Sequence, residues 1–448
     1  MKQNITEAEC KRLIEYRRFI YSEVLSQRRD SQFELIDALL GIGPVNSFPE
    51  LSESSAFRRQ WESVYSAVED GRQQTERLFA FSAQQVPNTG ICVFALDVSA
   101  WRRLEAVTMA DRQYIHQATT SIKGGDVSVG YPYSWLEYVP HAHTSWTWPV
   151  HVGRVPSIQT LPGYGAEQIK ALCRQRASYL NKLDIIAADG GYGNARFLRL
   201  VKDQPCGVVV RLRRDRTLRG RPDRQHTRQT KHGARFDFKD AQTWPPPDED
   251  LHLDRTSHYG QVRIRRWRHW HDVADATTEF DVLRIDTHLE YAQPCEPLWL
   301  AWQAPSVPAP IPVSTVEIWL AYDRRGVIES SFRFRKQALM WTTPRFSLPD
   351  AGDCWTRLIF IALCQLALAR PIVEDRPRPW QPPQPRLALT PARVQRGFAN
   401  LVAEIGSPAH APKLRGCPSG WPTGRPRTPK PHFDVVKKRR PRYSRLKT

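Results

Sequence analysis

"ICVFALDVS", residues 91–99, is an apolar run interrupted only by Asp97 near its end. It follows the loop "QQVPNTG" at 84–90, and a short apolar run opened by a turn signal reads as a buried central strand. A carboxylate in such a place is costly unless it is hydrogen-bonded or holds a metal. Asp97 is therefore the first residue that asks for a chemical explanation.

Downstream, "KGGD" at 123–126 marks a turn into "VSVGYPYSWLEYV" at 127–139, and "TSWTWPVHV" follows at 144–152. Three strands joined by hairpin-like turns are expected. The helical "AEQIKALCRQRASYL" at 166–180 leads to a second buried strand, "LDIIAA" at 183–188, which runs into "DGGYGN" and so into Asp189. A short helix, "ARFLRLVKD", and a third buried strand, "CGVVVRL", come next. Antiparallel strands followed by strands alternating with helices describe a mixed α/β sheet, in which sites are commonly built at strand ends.

Upstream, residues 1–88 carry apolar residues at three- and four-residue steps and read as helical, with Ser54 or Ser55 available as a cap. Residues 213–310 begin with the arginine-rich "RRDRTLRGRPDRQHTRQTKHG" and continue in segments alternating at period two, as in a β-rich insertion. Helical pattern returns at 311–372, where Ser314 and Glu317 make a capping box. Residues 373–448 are proline-rich and then basic, with one helix expected over 391–405 behind Thr390. Residues 411–448 hold twelve Lys or Arg and one acid, a composition expected to be disordered alone.

Composition narrows the partner. The 448-residue chain carries 65 Lys and Arg against 46 Asp and Glu, a net charge of +19, which favours nucleic acid over a neutral small substrate. The longest apolar stretch, Leu358 to Ala369, falls short of the ~20 residues of a spanning helix and reads as a buried helix rather than a membrane segment. The eight cysteines show no paired spacing and the first residues no signal pattern, so a reduced cytoplasmic setting is expected.

The segment "AYDRRGVIESSFRFRKQ" at 321–337, placed on one continuous helix, aligns Tyr322, Arg325, Glu329 and Lys336 within a narrow stripe and sets Leu320, Val327, Phe334 and Ala338 on the opposite, packed side. A glutamate among arginines is ordinarily half of a surface ion pair. Two strand-end aspartates together with Glu329 nevertheless make a trio of hard oxygen ligands suited to Mg²⁺ and to two-metal phosphoryl transfer.

These residues resemble the DDE transposases of bacterial insertion sequences, in the branch with a Tyr-x2-Arg-x3-Glu-x6-Lys signature and a β-rich insertion ahead of the glutamate. The signature stands at Tyr322, Arg325, Glu329 and Lys336, and "FALDVSAWRR", "AADGGYGNARFL", "PLWLAW", "FRFRKQALMW" and "LTPARVQRGF" resemble that family's other blocks. The resemblance implies a ribonuclease H-like catalytic core at 89–212 and 311–372, interrupted by the insertion. The helical 1–88 would bind the element's ends, and 373–448 would form a basic tail. It also implies that Asp97, Asp189 and Glu329 hold Mg²⁺ or Mn²⁺, two ions per active site, while Tyr322, Arg325 and Lys336 grip phosphates.

DNA is the implied partner, as terminal repeats and as target, with a homodimer assembled on paired ends beside the bacterial nucleoid. A related metal-dependent nuclease and a transposase-derived DNA-binding protein without catalysis are the alternatives. Trp267, Trp270, Trp299 and Trp302 are candidates to catch a flipped base. "TGRPRTPKP", with Arg425 and Arg427, resembles a minor-groove hook. The pairs His141/His143 and His269/His271 are weaker metal candidates, and Gly326 departs from the family pattern by standing mid-helix.

Overall fold

The computed structural model describes residues 2–437 apart from 44, 46, 117–126, 142–143, 177–180, 223–231, 257–259, 289–295, 309–310, 414–419, 421 and 427–428. The chain opens with α1 (Lys2–Phe19), β1 (Leu25–Gln27), α2 (Arg29–Ile42), α3 (Glu62–Glu69), β2 (Arg72–Gln73), which pairs antiparallel with β1, and α4 (Thr75–Gln84). The expected cap at Ser54 or Ser55 does not form, because Ser54 closes a tight turn through its N–H to Leu51 O and α3 begins only at Glu62.

Among the described residues, twelve strands then share one sheet. They are β3 (Gly90–Arg102), β4 (Gln113–His116), β5 (Val127–Val139), β6 (Trp148–Arg154), β7 (Lys182–Ala188) and β8 (Gly207–Leu212), followed by β9 (Thr217–Arg219), β10 (Arg235–Asp237), β11 (Glu249–Thr256), β12 (Gly260–Asp272), β13 (Asp275–His288) and β14 (Leu298–Gln303). Helix α5 (Leu161–Arg176) precedes β7 and α6 (Ala195–Val201) precedes β8. Strand β3 is central. It pairs antiparallel with β5, which pairs antiparallel with β6, and it pairs parallel with β7, which pairs parallel with β8. Strand β14 joins the period-two insertion to this core by pairing with both β13 and β8.

Alternation along the strands sorts the residues onto two faces. Phe94, Leu96, Ile186, Ala188, Val208 and Val210 face the apolar residues of α5 and α6. Val93, Ile185, Ala187 and Val209 face α7 (Thr315–Arg324). The other helices are α8 (Val327–Gln337), α9 (Pro349–Ala369) and α10 (Pro391–Ile405); apolar residues of α1, α2, α9 and α10 share one core with Trp135 of β5 and Ile328 of α8. Helix α9 is longer than its apolar run suggested: its 21 residues are long and apolar enough to cross a membrane, yet it lies largely buried inside the protein.

Two expectations for the later chain change. The tryptophans Trp267, Trp270, Trp299 and Trp302 are all buried, and Trp302 closes over Gly207, where an added Cβ would stand 2.1 Å from its ring. They are packing residues of the β-rich insertion. The tail departs from full disorder: Phe433 N–H donates to Val107 O at 2.8 Å, Val436 N–H donates to Arg112 O at 2.7 Å, and Val436 pairs with Gln113 of β4 in parallel sense.

Candidate active site

Asp97 lies on β3 and Asp189 immediately follows β7. The parallel register pairs Leu96 with Ala188, so the two aspartates are the next step on neighbouring strands. By alternation both belong to the face of Ala95 and Ala187, the one covered by α7 and α8. A tight turn follows Asp189. Its Oδ1 accepts from Gly191 N–H at 2.9 Å, Asn194 caps α6 by accepting from Phe197 N–H, and a Cβ on Gly193 would stand 2.1 Å from Arg211 O. "DGGYGN" is therefore a turn whose glycine lets β7 and β8 approach.

The capping box forms as expected: Ser314 Oγ accepts from Glu317 N–H, and Ser314 N–H donates to Glu317 Oε2 at 2.7 Å. The continuous helix does not. Residues 325 and 326 form a tighter turn, with Arg325 N–H bonded to Tyr322 O and Gly326 N–H to Asp323 O, which separates α7 from α8. Three-residue hydrogen bonding overwinds the chain, so the stripe drawn for a regular helix is rotated. Leu320 is exposed and Val327, Phe334 and Ala338 are only half-buried, while Tyr322 and Ile328 are buried. The helices turn their Tyr322 and Arg325 side inward because Tyr322 packs among the apolar residues of the sheet face and Arg325 is bonded to the sheet.

Arg325 makes the bond. Its Nη1 donates to Asp97 Oδ2 at 2.9 Å, its Nη2 lies 3.6 Å from Glu329 Oε1, and its guanidinium stands 5.5 Å from the Tyr322 ring centre. Glu329 itself is 67% exposed. Burial pushes the Asp97 carboxyl up to about 6; Arg325 opposes the shift, and the charges of Asp189 and Glu329 add to it. Burial works against the Arg325 charge, but Tyr322, Asp97, Asp189 and Glu329 outweigh it and hold its pKa above the ordinary value. One guanidinium thus sits within the field of all three carboxylates. Lys336 is set apart, half-buried near Trp341, with its ammonium pKa lowered by burial and by Arg335.

The donor chemistry suits a divalent cation, since all three groups are hard oxygen ligands, and burial together with the neighbouring carboxylates disfavours an uncompensated charge on Asp97. The spacing here is set by Arg325 instead, and among the described residues no three His, Cys, Asp or Glu side chains stand close enough to hold a metal together. Among the described residues the histidine candidates form no such set either. His269 is exposed beside Glu279, His271 Nε2 lies 3.0 Å from His232 Nδ1, and His143 lies outside the described residues.

A cavity of about 890 Å³ opens beside Asp189, lined by Tyr322 and Arg325 on one side and by Arg211, Arg213, Lys239 and Arg284 on the other. Arg211 and Arg213, at the exposed end of β8, line this cavity and are candidate binding residues that the sequence motifs did not single out. The strand-end rule that found the aspartates applies equally to the arginines after "CGVVV". Elsewhere in the insertion the arginines are largely neutralised across strands, as in Arg263 to Asp250, Arg266 to Asp281 and Arg221 to Glu279. The cavity lining gathers six cations, Arg211, Arg213, Arg214, Lys239, Arg284 and Arg325, of which Arg214, Arg284 and Arg325 are paired with Glu296, Asp286 and Asp97. Arg425 is exposed behind a turn, and Arg427 lies outside the described residues.

Among solved structures, the chain is similar to the one described as the cryo-EM structure of piggyBac transposase synaptic complex with hairpin DNA, at 10% identity and a TM-score of 0.35, over 80% of this chain and 59% of that one. It thus spans less than two thirds of that protein's length. No curated protein matches the sequence. The family model that matches, over residues 21–272, takes in Asp97 and Asp189 and ends before Glu329. That match spans more than half the chain, which therefore belongs to the DDE superfamily endonucleases.

Proposed function

We propose that this chain is a DNA transposase that cleaves strands at the ends of an insertion sequence and transfers them to target DNA. The observation that carries the reading is the placement of Asp97 and Asp189 as register neighbours on one sheet face, with Arg325 linking Asp97 to Glu329. The strand order β6-β5-β3-β7-β8, with only β3, β7 and β8 mutually parallel, supports a ribonuclease H-like core with the β-rich segment inserted before the glutamate.

Asp97, Asp189 and Glu329 would hold Mg²⁺ or Mn²⁺, which supplies activation of the attacking oxygen and stabilisation of the leaving one. The chain's own residues do the rest. Arg211, Arg213 and Arg284 draw the strand into the cavity, and Tyr322 supports the Arg325 guanidinium from below. Arg325 exchanges Asp97 for a phosphate oxygen of the bound strand, which frees the aspartate and fixes the phosphodiester. Water cleaves the strand at the element's end, and the released 3′-hydroxyl then attacks a phosphodiester of the target.

The ion pair between Arg325 and Asp97 also favours a second reading, DNA binding without cleavage, because it neutralises the site from within. Incubating the protein and Mg²⁺ with DNA carrying its own gene and both flanks, and mapping released 3′ ends, separates the two. Paired cuts at the flanks support the transposase. Binding without any cut, in Mg²⁺ or Mn²⁺, supports the second reading.

A further inference from the structure

The edge strand β4 carries a seat for the tail. An exposed strand edge presents unpaired backbone groups that an extended segment can complete. Here residues 433–436 bond the chain just ahead of β4, Phe433 to Val107 and Val436 to Arg112, and reach the strand itself through the bridge to Gln113. A side chain reinforces the backbone. Arg112 is 3% exposed, its Nη1 donates to Leu104 O at 2.8 Å, and its Nη2 donates to Phe433 O at 2.9 Å. A buried guanidinium aimed at a tail carbonyl is a built contact.

What the seat presents is charge. Residues 437–447 contain seven Lys or Arg and no acid, beginning one residue after the bridge. Gln113 lies opposite Gly130 of β5, which lies opposite Arg102 of β3, five residues beyond Asp97. Three strand spacings across and five residues along put Val436 about 22 Å from Asp97, at the same end of the sheet. That is less than one turn of duplex, about 34 Å.

Resting on the transposase reading, the geometry points to the β4 edge and Arg112 as an anchor that fixes the basic run on the phosphate backbone of the duplex flanking the cleavage site. Counted along the sequence, the anchor brings the nearest fixed point of the run from residue 411 to residue 436. Effective concentration falls as about the −3/2 power of tether length, so the anchor is worth about fivefold or more in affinity.

The test compares the full chain, Val436→Pro and a chain ending at Lys437, each binding a short duplex of arbitrary sequence across a salt series. Val436→Pro removes the N–H given to Arg112 and leaves every charge in place. It is expected to bind about fivefold more weakly, with amide exchange accelerated in the peptide around residues 433–436. The chain ending at Lys437 lacks six cations and is expected to show a salt slope shallower by up to about five. Val436→Pro binding as tightly as the full chain would overturn the anchor, and so would an unchanged slope in the shortened chain. Either failure leaves cleavage at the element's ends intact, and mapping cuts on DNA carrying the chain's own flanks tests the transposase reading separately.

Discussion

Arg325 and Asp97, 228 residues apart, are joined by a 2.9 Å bond from the turn between α7 and α8 to the central strand. The same guanidinium is 3.6 Å from Glu329, so it serves as the common counter-ion of a carboxylate cluster. Arg325→Ala should therefore leave the carboxylates unopposed and raise the Asp97 pKa further. In the presence of chelator, the variant should melt lower than wild type at about pH 8, by about 3 kcal/mol of stability, with Mn²⁺ recovering more of the loss than it adds to wild type. Equal Mn²⁺ stabilisation of the two proteins would argue against a shared site.

The pH dependence of stability has a fixed sign. Asp97 titrates near about 6 rather than at the usual 3.8, so the folded protein favours its neutral form. Stability from this group is complete below about pH 4 and is lost as pH rises through about 6, a difference of about 3 kcal/mol. In chelator, Asp97→Asn should melt above wild type at about pH 8 and converge with it near pH 4. Melting curves that stay parallel across that range would contradict the buried carboxylate.

Glycine substitutions separate two environments. A Cβ on Gly326 meets only Asp323 O at 3.5 Å, and the backbone there is ordinary right-handed. Gly326→Ala should fold with stability raised by up to about 1 kcal/mol and cleave DNA normally. Gly207→Ala drives its methyl into the Trp302 ring and should lose about 2 kcal/mol or more in denaturant titration. The reverse ranking would mean that the turn between α7 and α8 is misplaced.

Helix α8 is held by a fully buried ion pair, Arg335 with Glu137, and Arg335 lies 3.9 Å from the Trp135 ring centre. Glu137→Gln or Arg335→Met alone strands a buried charge and should cost about 3–5 kcal/mol, while the double replacement should recover most of it. Additive losses in the double-mutant cycle would show that the two side chains are not paired.

The strands that position the aspartates were legible because each is an apolar run ending at a carboxylate or a turn, and Ser314 with Glu317 announced α7 by local chemistry alone. The division of the helix after Arg324 was not, since a glycine in a helical pattern does not by itself say whether the chain bends. Arg325 reading Asp97, and Arg335 reading Glu137, depend on which strands become neighbours, and no local period encodes that. The tail's composition described how it meets water but not that residues 433–436 complete an edge.

The most direct measurement is strand cleavage by wild type, Asp97→Asn, Asp189→Asn and Glu329→Gln on DNA carrying the chain's own gene and flanks, with Mn²⁺ present and DNA binding measured alongside. The account predicts that all four bind and only wild type cuts. Cutting at the wild-type rate by any one of the three variants would remove that residue from the site and contradict the three-carboxylate account.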